Sequence, residues 1–427
     1  MKWLLSLVLL APAGFAQGRV LVVDSGGGGA YPEIYSALQD AVDGDVVLVK
    51  AGGYAGFGIA NLSVAIVGDL GANPQVSGTI QARNLVAGRT VLLHGLRATG
   101  ATSASDNDGP GITIKNDAGA VRVQQCVAQG APGKPGVQVE NSSDLALSDT
   151  QAWGGVEWEF SGAGVLANGT AIALYDCDLH GGVGHVPVGG QPPWCHGGGG
   201  GTALQSSVPG FVFAAGTLLT GGHGEDGAPN CYPYPGWDCC SGGNGGSGID
   251  VLVGAHTLWQ LENVYQPGSG GVGGFGYCGC GLTTSCQCDY GSNGSNVASN
   301  TDDTLVNLSG LSPTLGLGSN PARENTSVGI TLDSAPGDAV LLVASSDVSF
   351  VPDPNRGVRL VDWTIPHFTR RLGTTDAQGH LQNSWAIPDL GPGVESQIVH
   401  LQALVVHSDG SRVWSNPVAL VLLDSAF

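Results

Sequence analysis

One pattern recurs five times along the chain: GITIKNDAGAVRVQQCVAQ from Gly111, GVQVENSSDLALSDTQAW from Gly136, GVLANGTAIALYDCDLH from Gly164, GTALQSSVPGFVFAAGTLL from Gly201 and GIDVLVGAHTLWQLENVYQ from Gly248. The inserts after the first four copies, residues 130–135, 154–163, 181–200 and 220–247, lengthen toward the C-terminus, and a fifth covers about 267–303. A unit this short cannot bury its own apolar face, so the copies must stack into one solenoid. Within each copy the apolar residues alternate with period two and then break at a small residue, which gives strands joined by tight corners. Aligning the copies predicts one inward column of Val121, Leu145, Ile172, Phe211 and Leu258. A second holds Val123, Leu147, Leu174 and Phe213, with Gln260 as its polar exception. A corner column follows at Cys126, Thr150, Cys177, Gly216 and Asn263.

The two ends differ from this pattern. Residues 1–16 combine Lys2, the apolar run LLSLVLLAP and small residues at Gly14 and Ala16, which reads as a secretory signal peptide. The apolar run is too short to span a bilayer, and no later stretch approaches the roughly 18 apolar residues that a transmembrane helix needs. The chain is therefore expected to be exported, as a secreted or cell-surface protein. After Pro321 come short apolar strands such as TSVGITL, AVLLVAS, GVRLVDWTI and IVHLQALVVH, separated by Pro, Gly and Asp turns. This spacing suggests a β-sandwich, similar to the Ig-like modules appended to secreted bacterial repeat proteins. The expected domains are a solenoid over 17–320 and a β-sandwich over 321–427.

Charge narrows the partners. The 427 residues carry 15 Lys and Arg against 35 Asp and Glu, a formal net charge of −20. Nucleic acid is excluded as a partner, because its phosphates call for clustered cations. Between Lys134 and Arg323 there is neither Lys nor Arg, and this gap holds four of the five copies and all the long inserts. A surface built there cannot neutralise an anionic polysaccharide with side-chain cations.

The N-terminal stretch runs as a strand (RVLVVD), a helix expected over Tyr31 to Asp45 and a strand (VVLVK). Ile34, Leu38, Ala41 and Val42 fall on one face of that helix. With Asp24, Gly29, Tyr31, Ile34, Ala37, Leu38, Gly44, Asp45, Val49, Gly52 and Tyr54, the segment resembles the entry of right-handed parallel β-helix proteins of the pectin-lyase-like group. The resemblance implies an all-β fold: a right-handed parallel β-helix whose N-terminal helix caps the first coil, followed here by the small β-sandwich. Members of the group act through acidic Ca²⁺ ligands with an Arg or Lys base, through several Asp with Gly-His-Gly and Arg-x-Lys, or through two Asp with an Arg. None of these sets occurs in the copies, so the resemblance carries over architecture and no catalytic residue.

Three residue groups remain as candidates. Cys126 and Cys177 share a corner column two coils apart, roughly 9.6 Å at a strand spacing of about 4.8 Å, too far for a disulfide. Both are expected to be small buried stackers. Cys195, Cys231, Cys239, Cys240, Cys278, Cys280, Cys286 and Cys288 lie in the inserts, and their even number in an exported chain points to disulfides. A zinc site built on the Cys278/Cys280 and Cys286/Cys288 pairs, with His196 or His223, is the rival. Asp176, Asp178 and His180 bring two carboxylates and an imidazole to one corner and strand, the residue types of acid–base chemistry or Ca²⁺ ligation. Glu225, Asp226 and Asp238 are the candidate Ca²⁺ ligands of the fourth insert. Trp153, Trp158, Trp194, Tyr232, Tyr234, Trp237, Tyr277 and Tyr290 lie on the inserts or their edges, where successive inserts leave the same corner and form one wall. Aromatic rings on such a wall suit stacking against sugars. Two functions follow: a non-catalytic extracellular protein that binds a neutral glycan or a surface partner, or a carbohydrate-active hydrolase working on an uncharged polysaccharide.

Overall fold

Strands such as VVLV (Val46–Val49) and AIALY (Ala171–Tyr175) are apolar at nearly every position, so they need cover on both faces. The structure, a computed structural model, supplies that cover with a parallel coil on one side and a sandwich on the other. It describes residues 18–101, 109–157, 161–185, 197–206, 208, 210–226, 241–251, 256–272, 275–277, 285–287, 289–298, 303–365 and 367–427. The predicted signal peptide lies outside the described residues.

The coil is a right-handed parallel β-helix with three faces. Its long-strand face is a 10-stranded sheet running in chain order from Val20–Val23 to Thr304–Asn307. A 14-stranded sheet supplies the other two faces as arms that meet at Gln75–Arg83. One arm, the short-strand face, stacks Arg97–Thr99, Val127–Gln129, Gln151–Trp153, Asp178–His180, Leu218–Thr220 and Val264–Gln266. The other, the return face, runs from Ile112–Lys115 through Val137–Glu140 and Val165–Asn168 to Val297–Ala298. Every insert bridges the short-strand face to the return face.

The register corrects the alignment of the fourth copy. Leu145, Ile172, Val212 and Leu258 are paired in line, as are Leu147, Leu174, Ala214 and Gln260. Val212 and Ala214 therefore point inward, while Phe211 and Phe213 face outward, and Thr217 rather than Gly216 follows Cys177 in the corner column. From Ala167 to Ile172 the turn advances five residues, whereas from Ser206 to Val212 it advances six. Because FVFAA is apolar on both faces, alternation alone could not expose the slip.

Left-handed backbone marks both corners. Gln125, Asp149, Asp176 and Glu262 sit at φ between 48° and 51° where the long-strand face turns into the short one, and Gly216 takes that place at 59°. At the opposite turn Asn61, Asn84, Asn116 and Asn141 do the same, and the Asn141 amide donates to Asn116 Oδ1 at 3.2 Å. Asn and Asp tolerate this conformation because their short polar chains bond locally. Beside the first corner Cys126 and Cys177 are buried and free, and burial pushes both thiols up to about 12.

The N-terminal helix is shorter than expected, Ile34–Asp40. Ile34, Ala37 and Leu38 join the solenoid core, but Ala41 is already extended and Val42 is exposed, so Val42 does not share the helix face. At the far end the second inward column finishes on Gln260 and Asn307, which hydrogen-bond each other, and Tyr265 donates to Gln260.

C-terminal to the coil, a 3-stranded sheet (Thr314–Leu317, Ser327–Asp333, His380–Ala386) closes over a 6-stranded one that includes Ala339–Ser345, Ser396–Val406 and Val418–Leu423. Val328, Ile330 and Leu332 meet Leu342, Ala403 and Leu420 between the sheets. This sandwich lies along the long-strand face. Val46, Leu48, Ala65, Val67 and Leu92 pack against Ala419, Val421 and Leu423. Farther along, Ala146, Ala173, Tyr175 and Phe213 pack against Val358, Leu360 and Val413. Tyr175 donates to the Val358 carbonyl at 2.8 Å, and Gln124 bonds both Pro417 O and Ala419 N.

Candidate functional site

The described parts of the inserts form a backbone lattice. Gly182, Gly201, Gly222, Gly246, Gly268 and Gly294 each donate an N–H to the preceding segment, at Gly162, Gly182, Gly201, Gly222, Gly246 and Gly268 respectively. Along a segment the bonds recur every third residue: Gly242, Gly245 and Gly248 donate to Asp289, Ser292 and Ser295. Three residues per turn without internal bonds is the polyproline II helix. The outgoing segments (221–226, 267–272) form one row and the returning segments (197–203, 241–248, 289–296) a second, antiparallel to it. The third residue of each turn faces solvent, as His223, Asp226, Ser269 and Val272 do in the first row and Asn244, Ser292 and Ser295 in the second. Two neighbours per turn leave no room for a side chain, which explains the glycine content of the inserts.

At the root of this layer the short-strand face presents an outward column of Thr99, Gln129, Trp153, His180, Thr220 and Gln266, one residue per coil at about 4.8 Å spacing. Trp153 is 39% exposed and stacks on His180, with centroids 3.7 Å apart and planes 2° from parallel. Asp178 Oδ1 lies 2.6 Å from His180 Nε2, on the same side of the strand two residues away. The structure thus brings together Trp153, Asp178 and His180. It does not bring Asp176 to them: Asp176 turns at the left-handed corner toward the sandwich, where Thr314 Oγ1 donates to its Oδ1 at 3.2 Å.

Burial, helped by the charges of Asp149 and Glu262 in the same corner column and opposed by the Thr314 hydrogen bond, pushes Asp176 up to about 7. The folded chain holds this proton to about 7, whereas an unfolded aspartate releases it near 3.8. Stability from this group is complete below about 4, is lost as pH rises to about 7 and is flat above. Asp176→Asn keeps the Oδ1 acceptor, so urea unfolding at pH 8 should show a gain of about 2–4 kcal/mol and none at pH 3.5. Equal gains at both pH values would refute this origin.

The other candidates are placed as follows. Asp226 Oδ1 accepts from Val272 N at 2.6 Å, Glu225 contributes backbone bonds to the layer, and Tyr290 is 62% exposed. Trp158, Trp194, Tyr232, Tyr234, Trp237, Asp238, Cys195, Cys231, Cys239, Cys240, Cys278, Cys280 and Cys288 lie outside the described residues, as do the side chains of Tyr277 and Cys286. Among the described residues no group of three or more His, Cys, Asp or Glu is placed to hold a metal ion.

One constellation was missed at the level of sequence. Ser206 Oγ lies 3.1 Å from His256 Nε2, and His256 Nδ1 lies 3.3 Å from Asp303 Oδ1, the order of a nucleophile, base and acid. All three are buried. His256 Nε2 also meets the Val208 carbonyl at 3.0 Å, so backbone and side chains together hold the imidazole in this buried corner, away from any cleft. Ser206 donates to the same carbonyl. The trio ties the return corner after the asparagine column ends. Residues 50 apart in sequence, and offset by unequal turns, leave no local signal for it.

No family model matches the chain, and no curated protein matches it. Among solved structures it is similar to a pectin methylesterase in complex with hexasaccharide VII, at 10% identity and a TM-score of 0.35, over 67% of this chain and 92% of that one. Pectate lyase Pel9A aligns at 12% identity and a TM-score of 0.33, over 59% and 78%. The enzymatically active domain of bacteriophage CBA120 tailspike protein 2 aligns at 9% and 0.28, over 92% and 74%. Likenesses this distant say nothing of activity, and the parallel coil is established by the chain's own strand register.

Proposed function

We propose that the chain is an exported, non-catalytic β-helix that binds an uncharged glycan along the short-strand face. The coplanar Trp153–His180 stack beside Asp178 carries this reading. The outer edge of this stack stays exposed and offers apolar surface to the C–H groups of a sugar, while Asp178, Gln129 and Thr220 are spaced to bond hydroxyls on either side. The stretch without Lys or Arg favours a neutral ligand over an acidic one. Hydrolysis would need two carboxylates flanking one bond, about 5–9.5 Å apart, and Asp176 and Asp178 face different surfaces of the coil. Disulfides among the insert cysteines and Ca²⁺ at Glu225, Asp226 and Asp238 belong to this proposal as accessory features of the exported protein.

A neutral-glycan array run beside a reducing-end release assay tests it. Binding without release is the expected outcome, and Trp153→Ala should weaken binding at least tenfold, about 1.4 kcal/mol. Release that disappears in Asp178→Asn would replace this reading with a hydrolase.

A further inference from the structure

We propose that the cleft between the solenoid and the sandwich is a second binding site, for an uncharged sugar, with His400 at its floor. The cleft encloses 480 Å³, within the roughly 300–1,000 Å³ of small-ligand sites, and it lies at a domain interface, where such sites concentrate. Turns of three successive coils, residues 43–44, 63–65 and 86–92, form one wall, and residues 346–347 and 397–400 of the sandwich form the other. It lies on the opposite side of the coil's circuit from Trp153 and does not rest on the glycan reading of that face.

His400 sits on Ser396–Val406 between Ser345 and Ala419. Leu401 points into the sandwich core and Ile398 packs toward the solenoid, so His400 shares the solenoid side. It is only 8% exposed, and its ring has no hydrogen-bond partner among the described residues. Its ring nitrogens are not among the sealed, unbonded polar atoms of the described residues, so they open onto the cleft, where a ligand's hydroxyls can take the place of water. Burial, with the Arg122 charge behind it, drives His400 down to about 3. The ring is therefore neutral at ordinary pH and offers one donor and one acceptor. A pair of hydroxyls answers both.

The charges in the cleft exclude the alternatives. Arg89 is already paired with Asp43 at 3.0 Å, and Asp347 adds a second carboxylate at the rim, with Asp362 near it. An anion would meet these carboxylates with no unpaired cation lining the cleft among the described residues. Among the described residues no cluster of three ligating side chains is placed there for a metal ion. Ser63, Thr90 and Gln397 add neutral bonding groups, and Val86 and Leu92 give an apolar side for the C–H face of a sugar.

The test titrates the full chain with glucose, galactose, mannose, N-acetylglucosamine and their β-linked disaccharides, following the His400 imidazole resonances by NMR. At least one sugar should give a saturable shift with a midpoint below about 10 mM. Ser346→Trp, which fills the cleft from an accessible turn, should abolish it, and His400→Phe should weaken binding of that sugar at least tenfold by calorimetry. Trp153→Ala should leave the midpoint unchanged. The proposal falls if no sugar shifts His400 at about 100 mM, if Ser346→Trp keeps the same midpoint, or if Trp153→Ala removes the shift.

Discussion

Gly246→Ala should open the polyglycine layer while leaving the coil beneath it folded. An alanine Cβ at this position would overlap the Gly201 carbonyl oxygen, which belongs to the backbone and cannot rotate away. The Gly246 N–H bonds Gly222 O at 2.8 Å, and its carbonyl accepts from Gly268 N at 2.9 Å, so the displacement breaks contacts on two sides. Two backbone bonds at about 1 kcal/mol each, with about 1–3 kcal/mol of overpacking, give roughly 3–5 kcal/mol of local stability lost. Amide exchange at Gly222, Gly246 and Gly268 should accelerate by roughly 10²–10³-fold or more, each decade being about 1.4 kcal/mol. Leu147 and Val212, in the coil core, should keep their protection. Gly58→Ala is the control, since nothing stands within 4 Å of its Cβ position, and it should change exchange nowhere. Unchanged exchange in Gly246→Ala would mean that the rows are not packed in solution.

The five copies disclose a parallel solenoid because corner residues and alternation repeat at each turn, and the columns through Val121, Leu145 and Ile172 are paired as read. The fourth copy failed where Phe211 to Ala215 is apolar on both faces, because the sandwich covers the outward one. Cover of that kind is a property of tertiary packing and leaves no period of its own. In the sequence the inserts stand out by their aromatic and cysteine residues, whereas in the described segments the glycines are the organised element, with a period of three set by bonds to other segments. Trp153, Asp178 and His180 were each visible as chemistry-bearing residues, but their meeting on one face depends on strand register. His400 had no signal: one histidine in IVHLQALVV reads as an ordinary strand residue until the solenoid is placed against it.

Arg122 carries the largest expected effect at the domain interface. In AVRVQ it occupies an outward position on the long-strand face, and docking of the sandwich leaves it 1% exposed. Its guanidinium lies 2.6 Å from Asp144 Oδ1 and donates to Val121 O, Asp144 O and, across the interface, Ser349 O. Removing one member of a buried pair costs about 3–5 kcal/mol, because the carboxylate and carbonyls left behind have lost their donor. Arg122→Ala should therefore lower the urea midpoint by that equivalent and raise exchange in Ser396–Val406 and Val418–Leu423, the strands held against the coil. The pair itself need not be net stabilising, since desolvating both charges offsets much of their attraction. Replacing both partners, Arg122→Met with Asp144→Leu, should accordingly recover most of the loss, while Asp144→Leu alone should resemble Arg122→Ala. If Arg122→Ala costs less than about 1 kcal/mol, the range of a solvent-exposed pair, the sandwich does not stay docked over this strand. The cleft at His400 would then lack one wall, and the sugar titration would fail with it.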